Sequence, residues 1–400
     1  MKKAVTDSHR LERVGASARD MQRRLMEHIT NKTTDRGAGP MFNDAGAYND
    51  PKWFEAEKHE LFRKLPLMVG LSRDIPRPGD KLLFDAVGPS ILIVRANDHR
   101  IRGFLNMCPH RAAKVVVTCR SSQMMTCPFH GWTFDLEGKL VGLPGRESFI
   151  GINQSELRLI SVPVVEWHGM IFAIASAGDQ PIDIEAYLGS LAQDLAMHDL
   201  GNCKPVKKSR YDANANWKYT IDTFGEAYHV ATLHPKTVGK IVMQDTVVYD
   251  DMSPHHRIGF ALKEWSKVVE PSTGSQESPY GMALLLFPNT IVQIQGPSAR
   301  PTYIFYHIFP GDNVNSSFTM VGTYRSGEIP EEEGLAFYEA EHDAQQHIVE
   351  REDYVVAGTA QANLKYAPEG FRVVYGSNEI ALQRFQRRVA ELIGRELIEQ

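Results

Sequence analysis

The sequence predicts an α+β protein made of two unlike halves. Three observations carry that prediction. Residues 60 to 178 run as short β-rich stretches separated by turn signals. A break rich in small and turn-forming residues follows at Ser176-Ala-Gly-Asp-Gln-Pro181. Beyond it, helical patterns mix with longer apolar runs of strand type, as expected for helices packed on an antiparallel sheet.

In chain order, residues 9 to 31 place Leu11, Val14, Met21, Leu25 and Ile29 among many charges, a loose helical pattern with an Arg-rich polar face. That face suggests an exposed or subunit-contacting arm, and residues 1–59 are expected to form a helical N-terminal arm packing on the half that follows residue 178. Asp50-Pro51 reads as the cap and first position of a helix through Phe62. Strands are expected at Leu82 to Val87, Ile91 to Ala96 and Ile101 to Leu105, with Asn97-Asp98 turning a hairpin. Asp135 to Gly138 is another turn, and Val162 to Ala175 supplies two more strands, so an all-β domain spans 60–178. In the third segment, 179–400, helices are expected at Ile184 to His198 and Tyr219 to Leu233. Strands follow at Met282 to Gln295, Thr302 to Phe309 and Ser317 to Tyr324. A polar helix from Pro330 to about Leu364 and an amphipathic one from Asn378 to Glu399 close the chain.

Apolar residues make up 42% of the chain and charged residues 23%, the balance of an ordinary globular protein. A net charge of −5 leaves no electrostatic footprint for nucleic acid or an anionic membrane, so a small-molecule substrate is expected. The start, M-K-K-A-V-T-D-S-H-R, has no apolar run behind it, and the longest apolar run, Met282 to Phe287, is far too short to span a bilayer. A cytoplasmic location is therefore expected.

Chemistry concentrates in two stretches. In the first, Cys108-x-His110 and Cys127-x-x-His130 each offer one thiolate and one imidazole, with sixteen residues between His110 and Cys127. Pro109, Pro128 and Gly131 shape the two loops. A structural zinc site would use the same residue types, but zinc modules pair Cys with Cys and His with His, whereas here each half is mixed. The pattern resembles the Rieske [2Fe-2S] motif, in which two cysteines hold one iron and two histidines the other. The respiratory variety of that motif has an extra disulfide, whose positions here are Ala113 and Phe129. Of the remaining cysteines, Cys119 and Cys203 are expected to be free thiols.

In the second stretch, Asn216 to Pro235, the residues Asp222, Glu226 and His229 follow at i, i+4 and i+7, so a helix would put them on one face. His234 lies about 140° round an ideal helix from His229, so the helix must loosen or end near Pro235 for both rings to reach one ion. A His-x4-His pair alone is weak, since His342 and His347 repeat it on the late polar helix. There the charged surroundings favour a solvated face.

Asn216-Trp217-Lys218, Asp222, and Glu226-x-Tyr228-His229 with His234 resemble the mononuclear iron motif of the Rieske non-haem iron oxygenases, catalytic α subunit. That resemblance implies a helix-grip-like catalytic domain with an antiparallel sheet flanked by helices, placed after an all-β Rieske domain. It implies one [2Fe-2S] cluster at Cys108, His110, Cys127 and His130, and one Fe(II) at His229, His234 and a late acidic residue. Asp343, Glu350, Glu352 and Asp353 are candidates for the last. Glu352-Asp353 followed by Gln361 is similar to the family's pattern, and Asp353 is the residue chosen. Asp222 and Glu226 are expected to act in catalysis. The resemblance assigns Glu226 to a bridge between His229 and a cluster histidine, most like His130, of a neighbouring subunit. The alternative is a carboxylate that only orients His229.

The family further implies a homotrimer, with or without a β subunit. It also implies electrons from NAD(P)H delivered by an external reductase, with or without a ferredoxin, and O2 as co-substrate. No G-x-G-x-x-G follows an expected strand, so the nicotinamide or flavin belongs to the partner. The expected product is a hydroxylated, dihydroxylated or dealkylated small organic molecule, apolar or aromatic. A Rieske-type electron carrier with a non-catalytic binding domain would explain Cys108 to His130 but would leave the acidic, His-bearing stretch unused.

Overall fold

The I-L-I-V-R run at Ile91–Arg95 is buried along its whole length, which places it inside a sheet rather than at an edge. It lies between Lys81–Phe84 and Ile101–Leu105, with Ser161–Val162 completing four antiparallel strands. The computed structural model describes residues 17, 19–153, 156–198, 200–267, 279–297, 301–327 and 334–396. These fall into two compact units, one of 62–187 with 200–202 and one of the remainder.

The smaller unit adds two three-stranded sheets. One joins Leu67–Leu71, Met170–Ala173 and Val164–Trp167; the other joins Met125–Thr126, Thr133–Phe134 and Leu140–Gly142. The hairpin after Arg95 closes with its left-handed residue at His99 (φ 64°) rather than at Asn97 or Asp98. The turn at Asp135–Gly138 needs its glycine: φ is 75°, and a Cβ there would lie 2.6 Å from the Phe104 ring. Cys108 and Cys127 belong to the core of this unit, packed with Phe104, Val115, Trp132 and Phe134.

The larger unit is built on a seven-stranded antiparallel sheet. Its order is Lys204–Ala213, Ser317–Arg325, Thr302–Pro310, Thr290–Pro297, Pro279–Leu286, His255–Leu262, Val242–Met252. The single strand expected from Met282 to Gln295 is two strands, because Phe287-Pro288-Asn289 turns the chain where Pro288 has no N–H for a ladder. Helix 19–31 sets Met21 and Leu25 into the unit, with Met21 Sδ 2.4 Å from where a Cβ on Gly259 would stand. Leu11 and Val14 lie outside the described residues. The helix Pro51–Glu57 is capped by Asp50, which accepts from Lys52 N–H at 2.7 Å, and continues as a π turn over Lys58–Phe62.

The late helix runs Leu335–Ile348, Val349–Asp353 in π geometry, then Tyr354–Leu364; Pro330, expected to open it, is outside the described residues. The last helix, Ile380–Leu392, buries Ala381, Leu382, Phe385, Gln386, Val389 and Ala390 on one face. Among the described residues no helix is long and apolar enough to cross a membrane.

Candidate metal centres

The two cysteine loops share one backbone pattern. Cys108 N–H donates to Ala113 O at 2.8 Å and Ala112 N–H to Cys108 O at 2.9 Å. Cys127 N–H donates to Trp132 O at 2.8 Å and Gly131 N–H to Cys127 O at 3.0 Å, the same two separations. Equivalent positions then carry left-handed residues, Ala112 at φ 61° and Gly131 at φ 73°. Within this shared frame the histidine sits two residues after the first cysteine and three after the second, which is why the motif spacings differ.

Asn106 pins the first loop. Its Oδ1 accepts from Val115 N–H at 3.0 Å and Val116 N–H at 2.9 Å, and its Nδ2 donates to Val116 O at 2.7 Å. The side chain is buried, so Asn106→Ala orphans three backbone groups in a dry place. We expect a loss on the order of 3 kcal/mol, read as a lowered melting midpoint of the cluster's visible absorbance. An unchanged midpoint would show that water replaces the amide.

Cys108 and Cys127 are buried, and Cys108 Sγ accepts from the backbone N–H groups of His110 and Arg111. Burial pushes the Cys108 thiol up, and the neighbouring Cys127 adds to it. His110 stacks on Trp132 (centroids 4.8 Å, 6°) and lies 4.5 Å from the ring of His130. His110 Nδ1 is buried with no hydrogen-bond partner, which a ligand nitrogen would be. None of the four cysteines is paired in a disulfide. Two soft sulfurs and two imidazoles on twinned loops, one ring nitrogen left without a partner, fit a [2Fe-2S] group.

The second site departs from its expected helix. Trp217–Asp222 is helical and then stops, with Gly225 N–H donating to Asp222 O at 3.1 Å. A Cβ on Gly225 would lie 2.4 Å from Leu382 Cδ1, so contact with the last helix fixes the turn there. Glu226 then takes the backbone N–H groups of Tyr228 and His229 and the Nδ1 of His229, so its own carboxylate competes with the helix ladder. Asp222, Glu226 and His229 therefore do not share one helix face. A short helix, Val230–Leu233, follows and ends at His234, leaving the two rings 5.1 Å apart.

The π turn brings Asp353 to them from the late helix. Its Oδ1 is 3.0 Å from His234 Nε2 and 3.6 Å from His229 Nε2. One ligand atom from each of His229, His234 and Asp353 lies within 4.8 Å of the others. Among the other candidates, Glu352 holds His234 Nδ1 at 2.5 Å and Thr237 Oγ1 at 2.8 Å. Asp343 pairs with Lys207 at 2.6 Å, and Glu350 accepts from Gln346 at 3.3 Å. Each triad ring thus has its Nδ1 on a carboxylate and its Nε2 toward Asp353, which fixes orientation and the nitrogen offered to an ion. Burial works against a proton on His234, but the hydrogen bonds to Asp353 and Glu352 outweigh it and raise its pKa. That Glu352 would hold His234 and accept from Thr237 was not readable, since the π turn is what aims Glu352 there.

Asp222 sits elsewhere in this unit, in a buried network. Tyr48 OH and Gln386 Nε2 donate to it, Gln386 at 3.1 Å, and Tyr375 OH meets Tyr48 OH at 2.5 Å. Among the described residues its side-chain hydrogen bonds go to Tyr48 and Gln386 rather than to the triad. Burial, opposed by those hydrogen bonds, pushes its pKa from near 3.8 up to about 7. The folded chain then holds a proton where the unfolded chain has lost it. This contribution is most favourable below the unfolded value and is lost as pH rises from about 4 toward about 7. Asp222→Asn should flatten that fall, which is on the order of a few kcal/mol. Urea midpoints of both proteins across the range test it. A wild type minus variant difference that does not change with pH would contradict it.

Neighbouring contacts tie the two ligand-bearing elements together. Gln361 Oε1 accepts from Asn216 N–H at 3.0 Å, and its Nε2 donates to Tyr48 O at 3.0 Å and Asn315 Oδ1 at 2.8 Å. Asn216 in turn caps the 217–222 helix through Lys218 N–H at 3.0 Å, and Lys218 Nζ lies 2.5 Å from Glu57 in a fully buried pair. His342 is not on a solvated face: it is buried, with Nε2 at 2.8 Å from Ser209 Oγ and Nδ1 at 2.8 Å from Thr323 Oγ1. His347 is exposed, whereas both ring nitrogens of His342 are taken by those two hydroxyls.

Comparison with known proteins agrees with both sites. The description "Rieske [2Fe-2S] domain" matches residues 66–163, and "Ring hydroxylating alpha subunit (catalytic domain)" matches residues 200–395. The glycine betaine monooxygenase oxygenase subunit of Chromohalobacter salexigens is 30% identical over 213 residues, 52% of this chain and 47% of the relative. The carnitine monooxygenase oxygenase subunit of Escherichia coli K12 is 28% identical over 191 residues, 47% of this chain and 50% of the relative. The matched chain spans about half the length of these curated relatives. A crystal structure of a quaternary ammonium Rieske monooxygenase with L-carnitine has a TM-score of 0.75 at 20% identity, covering 92% of this chain and 98% of that one. Naphthalene 1,2-dioxygenase from Rhodococcus sp. gives 0.68 at 17%, covering 94% and 98%. Those two likenesses are of fold. The cluster loops fall in one matched region and the His/His/Asp set in the other, and the chain belongs to the family of Rieske-domain-containing catalytic oxygenase subunits.

Proposed function

We propose that this chain is the terminal oxygenase of a multicomponent system that oxidises a small N-methylated quaternary ammonium compound. The carrying observation is the His229, His234 and Asp353 set, with both Nδ1 atoms held by carboxylates, in a chain that also carries the cysteine loops. Cys108, His110, Cys127 and His130 hold the [2Fe-2S] cluster, and the triad holds Fe(II). The cluster supplies one-electron transfer, and ferrous iron bound on one side by two imidazoles and a carboxylate supplies open positions for dioxygen. An external NAD(P)H-dependent reductase, with or without a ferredoxin, provides the electrons.

The residues around Asp353 support the substrate class. Tyr211, Tyr306 and Tyr354 are buried, and Tyr306 and Tyr354 lie within electrostatic reach of Asp353. Phe224 adds a ring 4.8 Å from Tyr306. Aromatic faces beside a carboxylate attract a desolvated N-methyl cation through the ring quadrupole. The relatives named for glycine betaine and carnitine point the same way. In the reaction, a C–H of an N-methyl group, O2, two electrons and two protons give C–OH and water. The hydroxymethyl ammonium then loses formaldehyde and a proton, leaving the tertiary amine.

Glu226 belongs to the electron route in a homotrimer, where it faces His130 of a neighbouring copy. The test of function is a reconstituted assay with a reductase, scoring O2 uptake against formaldehyde for trimethylammonium carboxylates and for fused aromatic rings. Matched uptake and formaldehyde with the first group is expected. Coupled turnover of the aromatic compounds alone would overturn the substrate class.

A further inference from the structure

The strand Val242–Met252 loses register near its start. Val242 lies opposite Leu262 and the next pair is Val247 with Phe260, so residues 243–246 bulge out of the ladder. Asp245 stands on this bulge at φ 50°, a left-handed backbone uncommon for a residue with a Cβ. In that conformation its N–H donates to the carbonyl of Ala227 at 3.1 Å, on the residue that follows Glu226. Its carboxylate is held from two other parts of the chain: Oδ1 accepts from Asn378 Nδ2 at 2.7 Å, and Oδ2 lies 3.5 Å from Arg36. Val247 fastens the far end of the bulge, donating to Thr34 Oγ1 at 3.0 Å and accepting from Asp35 N–H at 3.1 Å. Strained backbone persists where its surroundings over-determine it, and here they do.

The bonds within residues 226–229 fix the Glu226 carboxylate against its own turn, but they do not fix that turn against the sheet. Leu382 against Gly225 anchors it just before Glu226, and Asp245 N–H on Ala227 anchors it just after. We propose that Asp245 is a positioning residue for Glu226: its gripped, left-handed backbone sets the direction in which that carboxylate leaves the turn. The inference rests on the reading of Glu226 as an electron bridge, since a group that must meet a second ring needs placing to within about 0.5 Å. Asp245 acts through Ala227.

Hydrogen–deuterium exchange of the iron-loaded protein reads the turn without turnover, through the Tyr228 and His229 amides that donate to Glu226. Asp245→Ala should speed exchange there about tenfold. It should also slow cluster reoxidation, in a single turnover with substrate and O2, by about tenfold or more with iron content unchanged. Asp245→Asn keeps an acceptor for Asn378 and tolerates the left-handed backbone, so it should restore both rates. A merely structural role would lower the melting midpoint of Asp245→Ala without moving reoxidation. Asn378→Ala leaves Asp245 in place but removes the donor to its Oδ1, and should shift both rates the same way to a smaller extent. Wild-type exchange and reoxidation in Asp245→Ala, or in Asn378→Ala where the first variant does not fold, would overturn the inference. So would an Asp245→Asn variant as slow as Asp245→Ala. Should Glu226→Gln itself reoxidise at the wild-type rate, the bridge reading fails and takes this inference with it. A slow Glu226→Gln beside an unaffected Asp245→Ala sinks this inference alone.

Discussion

Replacing His234 by Ala should remove all product and the mononuclear iron while leaving the cluster's visible spectrum unchanged. The ring supplies one of three atoms gathered at the triad, and its loss also takes from Glu352 its bond to His234 and leaves it the hydrogen bond from Thr237. Loss of outer-sphere partners alone costs roughly 10–100-fold in metal affinity or activity, so loss of a ligand should exceed that. Glu352→Gln, which keeps the side-chain size, should fall within that smaller range. The cluster loops belong to the other compact unit, which is why their absorbance is a clean internal reference. His342→Ala is the control: it strips partners from Ser209 and Thr323 and should lower stability by about 1–3 kcal/mol without loss of the third iron. If His342→Ala loses that iron and His234→Ala keeps it, the wrong histidines have been assigned.

Glu226→Gln should give a protein that binds all its iron and accepts electrons at the cluster, yet reoxidises the cluster very slowly in a single turnover with substrate and O2. One carboxylate oxygen receives His229 Nδ1 and the other receives two backbone N–H groups. Gln has a single acceptor oxygen, so one of these duties is met by an NH2 that confronts other donors. The proposed electron route between neighbouring copies adds a further demand, a second imidazole on the same carboxylate. Glu226→Asp keeps the charge and should restore part of the rate if a bridge is at work. If reoxidation in Glu226→Gln matches wild type, Glu226 only steadies its own turn. Mixed trimers, with the Gln variant in one copy and a ligand-deficient cluster in another, then separate routes within and between copies.

What the sequence disclosed about these sites follows from how local each cause is. The cysteine loops were legible because their ligands lie within a short span and their turns depend on nearby residues such as Gly131. Asp353 was reachable through the family pattern around Glu352 and Gln361. The break after Asp222 was not, since i, i+4, i+7 spacing is a helical signal and what defeats it is Leu382 against Gly225, far along the chain. His342 was misjudged for the same reason: its charged neighbours in sequence say surface, while Ser209 and Thr323 on two sheet strands enclose it. The π turn at Val349–Asp353 left no compositional mark, yet it sets Glu352 on His234 and Asp353 between the two rings. Asn106, two residues before Cys108, reads as an ordinary loop residue until Val115 and Val116 fold back on it.

Metal and sulfide analysis of protein purified without oxygen decides whether one chain holds both a Rieske cluster and a separate catalytic iron. About three irons and two sulfides per chain are expected, with one iron lost selectively in His234→Ala. Two irons in the wild type, unchanged by that substitution, would leave only an electron carrier, and zinc without sulfide would rule out both iron sites.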